Sequence, residues 1–386
     1  MPWVYNELKI KKRLCGEPKK PDARIGHVAV CIDHKQLMVF GGGNKGEHFV
    51  GDVWFYDIAA GLWWSEQSKG EIPRTTTDSA SWLHCGHVYI FGGYHGLRYS
   101  NDVHALNIAT LEWEKCEPRG TPPTPRHGAV CWHLENCVMV FGGFGGAPKD
   151  MQDYDEYLRY NDTHSSGWNN QLHVLDLNTD TGGMEWTKPR CTGKPPSPRT
   201  LPAHARFERT AYLFGGWCGS LRFNDMFMLD LNNLEWEQMN INPRAHPTRI
   251  PRARYGSSMS VFSDGTIFVC GGRDDYMKHL SECWVLHPKG SKRLEVSKVR
   301  VRELRGVYAH SACVVVHTDG KEVVYLFGGE DSSKKAIDTI GYIGEEEDEV
   351  DEDPVEENTE LETDNLKEPE NLEETSSKIE GEEGIE

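Results

Sequence analysis

The chain of 386 residues has room for one large closed unit or about two to three ordinary domains. Its 11 cysteines form no CxxC pair and several end apolar runs, so they read as buried thiols of an intracellular protein and exclude a disulfide framework. The formal charge of −18 is carried by residues 345–386, with 21 acidic residues and 2 lysines; the remaining 39 acidic and 40 basic residues make a near-neutral body, with no basic surface for nucleic acid.

Residues 1–15, MPWVYNELKIKKRLC, lack the unbroken apolar core of a signal peptide, and no run approaches the roughly eighteen apolar residues of a membrane helix. The expected location is cytoplasmic or nuclear, with no membrane contact. From Arg24 a unit begins that repeats to residue 344. An arginine (Arg24, Arg74, Arg126, Arg199, Arg252, Arg305) opens each copy. Two short β-branched and aromatic runs follow, and the second ends in two glycines: LMVFGG, VYIFGG, VMVFGG, AYLFGG, IFVCGG and VYLFGG.

Past the diglycine a loop leads to a third strand, as in DVWFYDI, DVHALNI, QLHVLDL and DMFMLDL. A turn then delivers a fourth that bears Trp63, Trp113, Trp186 or Trp236. The second glycines stand 51, 50, 73, 56 and 57 residues apart, against a kelch period of roughly 50. Four strands cannot bury both faces of their own sheet, whereas six such sheets set radially cover one another. The fold class is therefore all-β: a six-bladed propeller over residues 1–344.

Two features depart from the repeat. Blade three carries about twenty extra residues between Phe144 and Gln171, long enough for a lid, and its Trp168 is an unusual residue to leave in solvent. After the sixth diglycine only DTIGYI, from Asp338, remains as a strand. The outer strand of the last blade is expected from the front of the chain, over residues 8–14, LKIKKRL. Residues 345–386 read as a disordered acidic tail that confers solubility or meets a basic partner.

The ordered recurrence of arginine, diglycine and tryptophan resembles kelch β-propellers. FGGFGGAPKD, SSGWNNQLHVLDLNT, TGKPPSPR and LRFNDMFMLDLNNLEW further resemble kelch domain-containing proteins 1 and 2, substrate receptors of elongin-cullin-2 ubiquitin ligases. The resemblance implies a non-catalytic adaptor. Its channel mouth would hold the C-terminal tail of a partner protein, clasping the terminal carboxylate between arginines and a serine. By that likeness Phe144 and Trp168 match aromatic positions of the pocket, and Arg222 matches a carboxylate-binding arginine. Trp217 stands where the family has another arginine, and Ala253 and Arg254 replace its serine and tryptophan. The helical box that would dock the elongin-cullin machinery has no counterpart in residues 345–386.

Read from the residues alone, the loops after the diglycines and those before the opening arginines meet at one face. They bring together Asn44, Tyr94, His95, Arg98, Phe144, Trp217, Arg222, Arg254, Arg273 and Asp274. Aromatic residues beside planar guanidinium groups suit recognition of a peptide carboxylate. The expected peptide site is Phe144, Trp168, Trp217, Arg222, Arg254 and Arg273. No phosphate loop, HExxH or GxSxG occurs; HCGH at 84–87 reads as structural, and no cofactor or metal is expected. A scaffold using its blade sides or tail is the alternative function, and an enzyme comes third.

Overall fold

The computed structural model describes residues 3–8, 19–44, 50–74, 76–147, 156–160, 166–178, 183–243, 250–290, 292–317 and 320–345. The chain divides into Met1–Glu346 and Glu347–Glu386, and the second unit lies wholly outside the described residues, with the expectation placed on it. The first contains six four-stranded antiparallel meanders, numbered here as blades one to six. Their innermost strands are Val28–Ile32, Ala80–His84, Val130–Leu134, Ala203–Phe207, Ser258–Val261 and Ser311–Val316. Each lies beside the next, and the sixth lies beside the first. Among the described residues no helix is long and apolar enough to cross a membrane.

A circle of backbone hydrogen bonds fixes this closure. The amides of Asp78, Gly128, Leu201, Gly256 and Ala309 donate to the carbonyls of Gly26, Asp78, Gly128, Leu201 and Gly256, at 2.7–2.9 Å. Gly26 donates to Ala309 at 3.2 Å and completes it. All six residues have φ between 51° and 62°.

The core is one apolar cluster per seam between neighbouring blades. In four seams the tryptophan of an outer strand covers the phenylalanine before the preceding blade's diglycine. Ring centroids are 4.9 Å apart for Trp113–Phe40, 5.3 Å for Trp186–Phe91, 4.9 Å for Trp236–Phe141 and 5.0 Å for Trp63–Phe327. In blade five Leu294 and Val296 fill that role. The diglycine lets the next blade approach: a Cβ on Gly92 would stand 2.7 Å from the Arg126 carbonyl, which accepts the Gly93 amide at 2.9 Å.

The front of the chain does supply the outer strand of blade six, but with different residues from those expected. Trp3–Glu7 runs antiparallel to Ile340–Glu345, and Leu8 adds one backbone bond to Ile340 at 2.9 Å. Residues 9–14 of the expected strand lie outside the described residues. WVYNE carries the aromatic anchor that an outer strand needs at the seam: Trp3 stacks on Phe268 of blade five at 5.5 Å.

The opening arginines also need correcting. The residue two before each member of the backbone circle is Arg24, Thr76, Arg126, Arg199, Arg254 or Val307. Arg74, Arg252 and Arg305 stand two positions earlier, where no buried slot exists, and all three are exposed. The proline-arginine pair is common to both positions, so the sequence alone did not separate them.

Candidate functional site

Beyond each diglycine the chain makes a small ladder at the channel mouth. The residue after the diglycine pairs with the one following the slot position: Gly43 with Ile25, Tyr94 with Thr77, Phe144 with His127, Trp217 with Thr200, Arg273 with Tyr255 and Glu330 with Tyr308. The loop then returns on its other side, pairing Tyr94 with Tyr99, Phe144 with Trp168, Trp217 with Arg222 and Arg273 with His279. Five of the six expected residues therefore share one face. Phe144, Trp217 and Arg273 occupy one repeat position, and Trp168 and Arg222 occupy its partner.

The rings form a continuous arc over five blades. Tyr99 stacks on His127 at 5.5 Å, Phe144 meets His127 at 5.9 Å and Trp168 at 4.9 Å, and Trp168 meets Trp217 at 5.6 Å. Trp217 lies 5.6 Å from Tyr255, which lies 5.2 Å from Tyr308. Sequence reasoning missed His127, Tyr255 and Tyr308. The signal was available, since each follows the slot position, but it required that position to be in the right register.

Trp168 is only 2% exposed, so it backs the wall and does not line it. The inserted segment forms a further sheet, with Ser166–Asn169 between Phe144–Gly146 and Tyr157–Arg159. Glu156 ties it to the blade through Lys188 at 2.6 Å and Gln171 at 3.2 Å. The lid expected here is thus, among its described residues, a sheet packed over blade three; residues 148–155 and 161–165 lie outside them.

The three expected arginines differ sharply. Arg254 is fully buried. Its Nε donates to the Arg252 carbonyl at 3.0 Å, Nη1 to the Gly271 carbonyl at 3.0 Å and Nη2 to Glu282 at 2.9 Å, so it keeps no edge for a ligand and does not belong to the mouth. Arg273 lies 4.4 Å over the Tyr308 ring and donates to Glu330, with His279 at 3.0 Å. Its charge is already matched.

Among the described residues Arg222 is matched more loosely. Its side chain is 15% exposed, between the rings of Trp217 at 6.0 Å and Tyr255 at 5.6 Å. Among the described residues Nη2 meets only the Met277 thioether at 3.4 Å, a weak acceptor. Nε is buried without a hydrogen bond, 3.9 Å from the Asp275 carboxylate. The turn presenting Met277 is pinned by Asp274, whose carboxylate accepts the amides of Tyr276 and Lys278 at 3.0 Å.

The HCGH segment lies at a hairpin away from the diglycine end. His84 Nδ1 faces His133 Nε2 at 3.0 Å and Cys85 Sγ is 3.4 Å from His84 Nε2. Burial holds the His84 and His133 pKa values below the ordinary range, which favours neutral rings sharing one proton. Among the described residues no group of three or more His, Cys, Asp or Glu side chains is placed to hold a metal ion.

The KLHDC2/KLHL20/DRC7 Kelch-repeats domain model matches residues 5–169 and 160–329. Kelch domain-containing protein 1 of Homo sapiens is 32% identical over 337 residues, covering 82% of this chain and 78% of its own. Kelch domain-containing protein 2 of Bos taurus is 29% identical over 327 residues, covering 80% and 76%. Host cell factor of Drosophila melanogaster matches over 113 residues at 31%, or 26% of this chain and 7% of its own. With its repeats, its closed sheets and these matches, the chain belongs to the kelch-repeat family and is a β-propeller protein-interaction module.

Proposed function

We propose that the channel mouth is a receptor for the C-terminal tail of a partner protein, with Arg222 taking the terminal carboxylate. The observation that carries this reading is the state of Arg222. Its described polar partners are a thioether and a carboxylate at 3.9 Å, whereas Arg24, Arg199 and Arg254 each hold a carboxylate and a carbonyl within hydrogen-bond distance. A cation held this way gains most from a planar anion that accepts two parallel bonds. Phe144 and Trp217 form the apolar walls, and Trp168 supports both. Capture of a C-terminal carboxylate is an established mode of peptide recognition.

By its likeness to kelch domain-containing proteins 1 and 2, the chain would serve as a non-catalytic substrate adaptor, cytoplasmic or nuclear. Trp217 in place of a second arginine favours a tail whose penultimate side chain is apolar. Selection from a library of random peptide C-termini, then calorimetry on the enriched sequence in free-acid and amidated forms, tests the reading. Binding of the free acid alone supports it. Equal binding of both forms overturns it in favour of a scaffold.

A further inference from the structure

Four blades share one internal device that the other two lack. In each, an arginine lies buried in a slot formed by the carbonyl two residues upstream, the carbonyl of the first glycine and the side chain before the third strand. Arg24 donates to Asp22 at 3.0 Å, Gly41 at 3.2 Å and Asp52 at 2.9 Å. Arg199 donates to Ser197 at 2.9 Å, Gly215 at 2.9 Å and Asp225 at 2.6 Å. Arg254 repeats this with Glu282, and Arg126 with the neutral Gln171 at 3.5 Å. Blade two has Thr76 at this position, and the side chain stops short. A cavity of about 430 Å³ remains, walled by Arg74, Thr76, Gly92 and Asp102, the four residues that form or face the slot elsewhere.

The structure assigns this vacancy as a binding site for a guanidinium group from outside the chain, the arginine side chain of a protein partner. The acceptors are in place: the Gly92 carbonyl takes one bond from Ser79 at 3.2 Å, and a carbonyl oxygen has two lone pairs. The Asp102 carboxylate is bonded to Ser100 at 3.1 Å and Lys115 at 3.0 Å. Lys115 does not fill the place. In blade five Glu282 accepts Lys298, Arg252 and Arg254 together, each at 2.9 Å, and Lys115 and Arg74 stand where Lys298 and Arg252 stand. Among the described residues Lys115 keeps its place on Asp102, while the central guanidinium is missing. Blade six is the internal control: Val307 replaces the arginine and Thr339 the acid, and its cavity is about 80 Å³ with no carboxylate at that position. The blade-two cavity opens on the loop of His95 and Arg98, beside the mouth, within reach of a partner that also touches the face.

The test uses the full chain and Nα-acetyl-arginine methylamide as probe, followed by ligand-observed NMR and calorimetry. The citrulline analogue serves as neutral isostere and Nα-acetyl-aspartate methylamide as anionic control. The arginine probe is expected to bind, and citrulline at least tenfold more weakly. Thr76→Arg fills the slot from within and should abolish binding while raising the melting temperature. Asp102→Asn should weaken binding at least tenfold, and it keeps the test decisive if Thr76→Arg fails to fold. No arginine binding, equal citrulline binding, or retention in both variants overturns the assignment. Binding of the aspartate probe alone overturns it too, giving the pocket to anions through Arg74 and Arg98.

Discussion

The amide of Gly26 donates to the carbonyl of Ala309 at 3.2 Å, joining the first blade to the sixth. Each bond in that circle is local in space and distant in sequence, so no blade completes its own share of it. The same holds for the seams, because each phenylalanine before a diglycine is covered by a tryptophan of another blade or by Leu294 and Val296. Unfolding should accordingly be cooperative around the ring.

The circle requires left-handed backbone at six positions, and three are not glycine: Asp78, Leu201 and Ala309. A side chain there costs about 1 kcal/mol, which glycine removes at the expense of a more flexible unfolded chain. Ala309→Gly should therefore raise stability by several tenths to about 1 kcal/mol. Gly128→Ala should lower it by more, since its Cβ would lie 2.2 Å from Thr200 Oγ1. Urea denaturation of both variants checks the pair, and a destabilised Ala309→Gly would contradict the strain argument.

Closure through the N-terminus makes a separate prediction. Trp3 stacks on Phe268 and tilts against Phe262 at 6.1 Å, so it welds the outer strand of blade six to blade five. Trp3→Ala should cost roughly 2 kcal/mol, below the usual range for a fully buried tryptophan because Trp3 is only half-buried. Deletion of residues 1–8 should cost more, because it also removes the strand's hydrogen bonds to Ile340–Glu345. Thermal melts that leave both variants unchanged would dissolve the strand-exchange picture.

Much of this fold was legible because the repeats needed only pattern. The diglycine recurs in all six copies, the seam tryptophan and the acid before the third strand in four each, and each answers to a steric or packing demand. What was not legible depended on register. Arg252 and Arg254 are two residues apart with the same side chain, and only the slot, with its Gly271 carbonyl and Glu282 carboxylate, tells them apart. The outer strand was misplaced to LKIKKRL for the same reason: two alternating segments compete, and Trp3 wins through a contact with Phe268 that sequence does not display. At the mouth, Arg222 and Trp217 could be found as departures from the repeat. The ion pair of Arg273 with Glu330 reaches it from a different blade and could not.

Buried histidines give a pH signature. Burial, with Arg24 and His310 nearby, holds the His27 pKa down to about 3; burial with Arg126 and Lys188 does the same for His173, and burial lowers His204 to about 4. The folded state refuses protons that the unfolded chain accepts below its pKa of about 6.5, so stability is complete above that pH and is lost as pH falls from 6.5 towards 3. Each histidine contributes a slope of up to about 1.4 kcal/mol per pH unit. Urea titrations at pH 7, 6 and 5 should show this decline, and His204→Gln should make it shallower by about one proton. An unchanged slope would mean that His204 takes up its proton without unfolding.

Arg222 permits a decisive test of the receptor itself. If the terminal carboxylate docks on its guanidinium, Arg222→Ala should weaken a selected tail peptide by roughly 1.5 to 3 kcal/mol, the range for a hydrogen bond to a charged group. Stability should change little, because its polar contacts among the described residues are a thioether at 3.4 Å and a carboxylate at 3.9 Å, beside rings at 6.0 and 5.6 Å. Arg222→Lys keeps the charge and loses the planar fork, so it should recover only part of the affinity. Amidation of the peptide removes the carboxylate from the other side. Combined with Arg222→Ala it should cost less than the two changes summed, because both delete one contact. Calorimetry on the four combinations measures that coupling directly. Strict additivity would place the carboxylate away from Arg222, leaving the aromatic arc from Tyr99 to Tyr308 to bind side chains of an internal segment instead of a chain end.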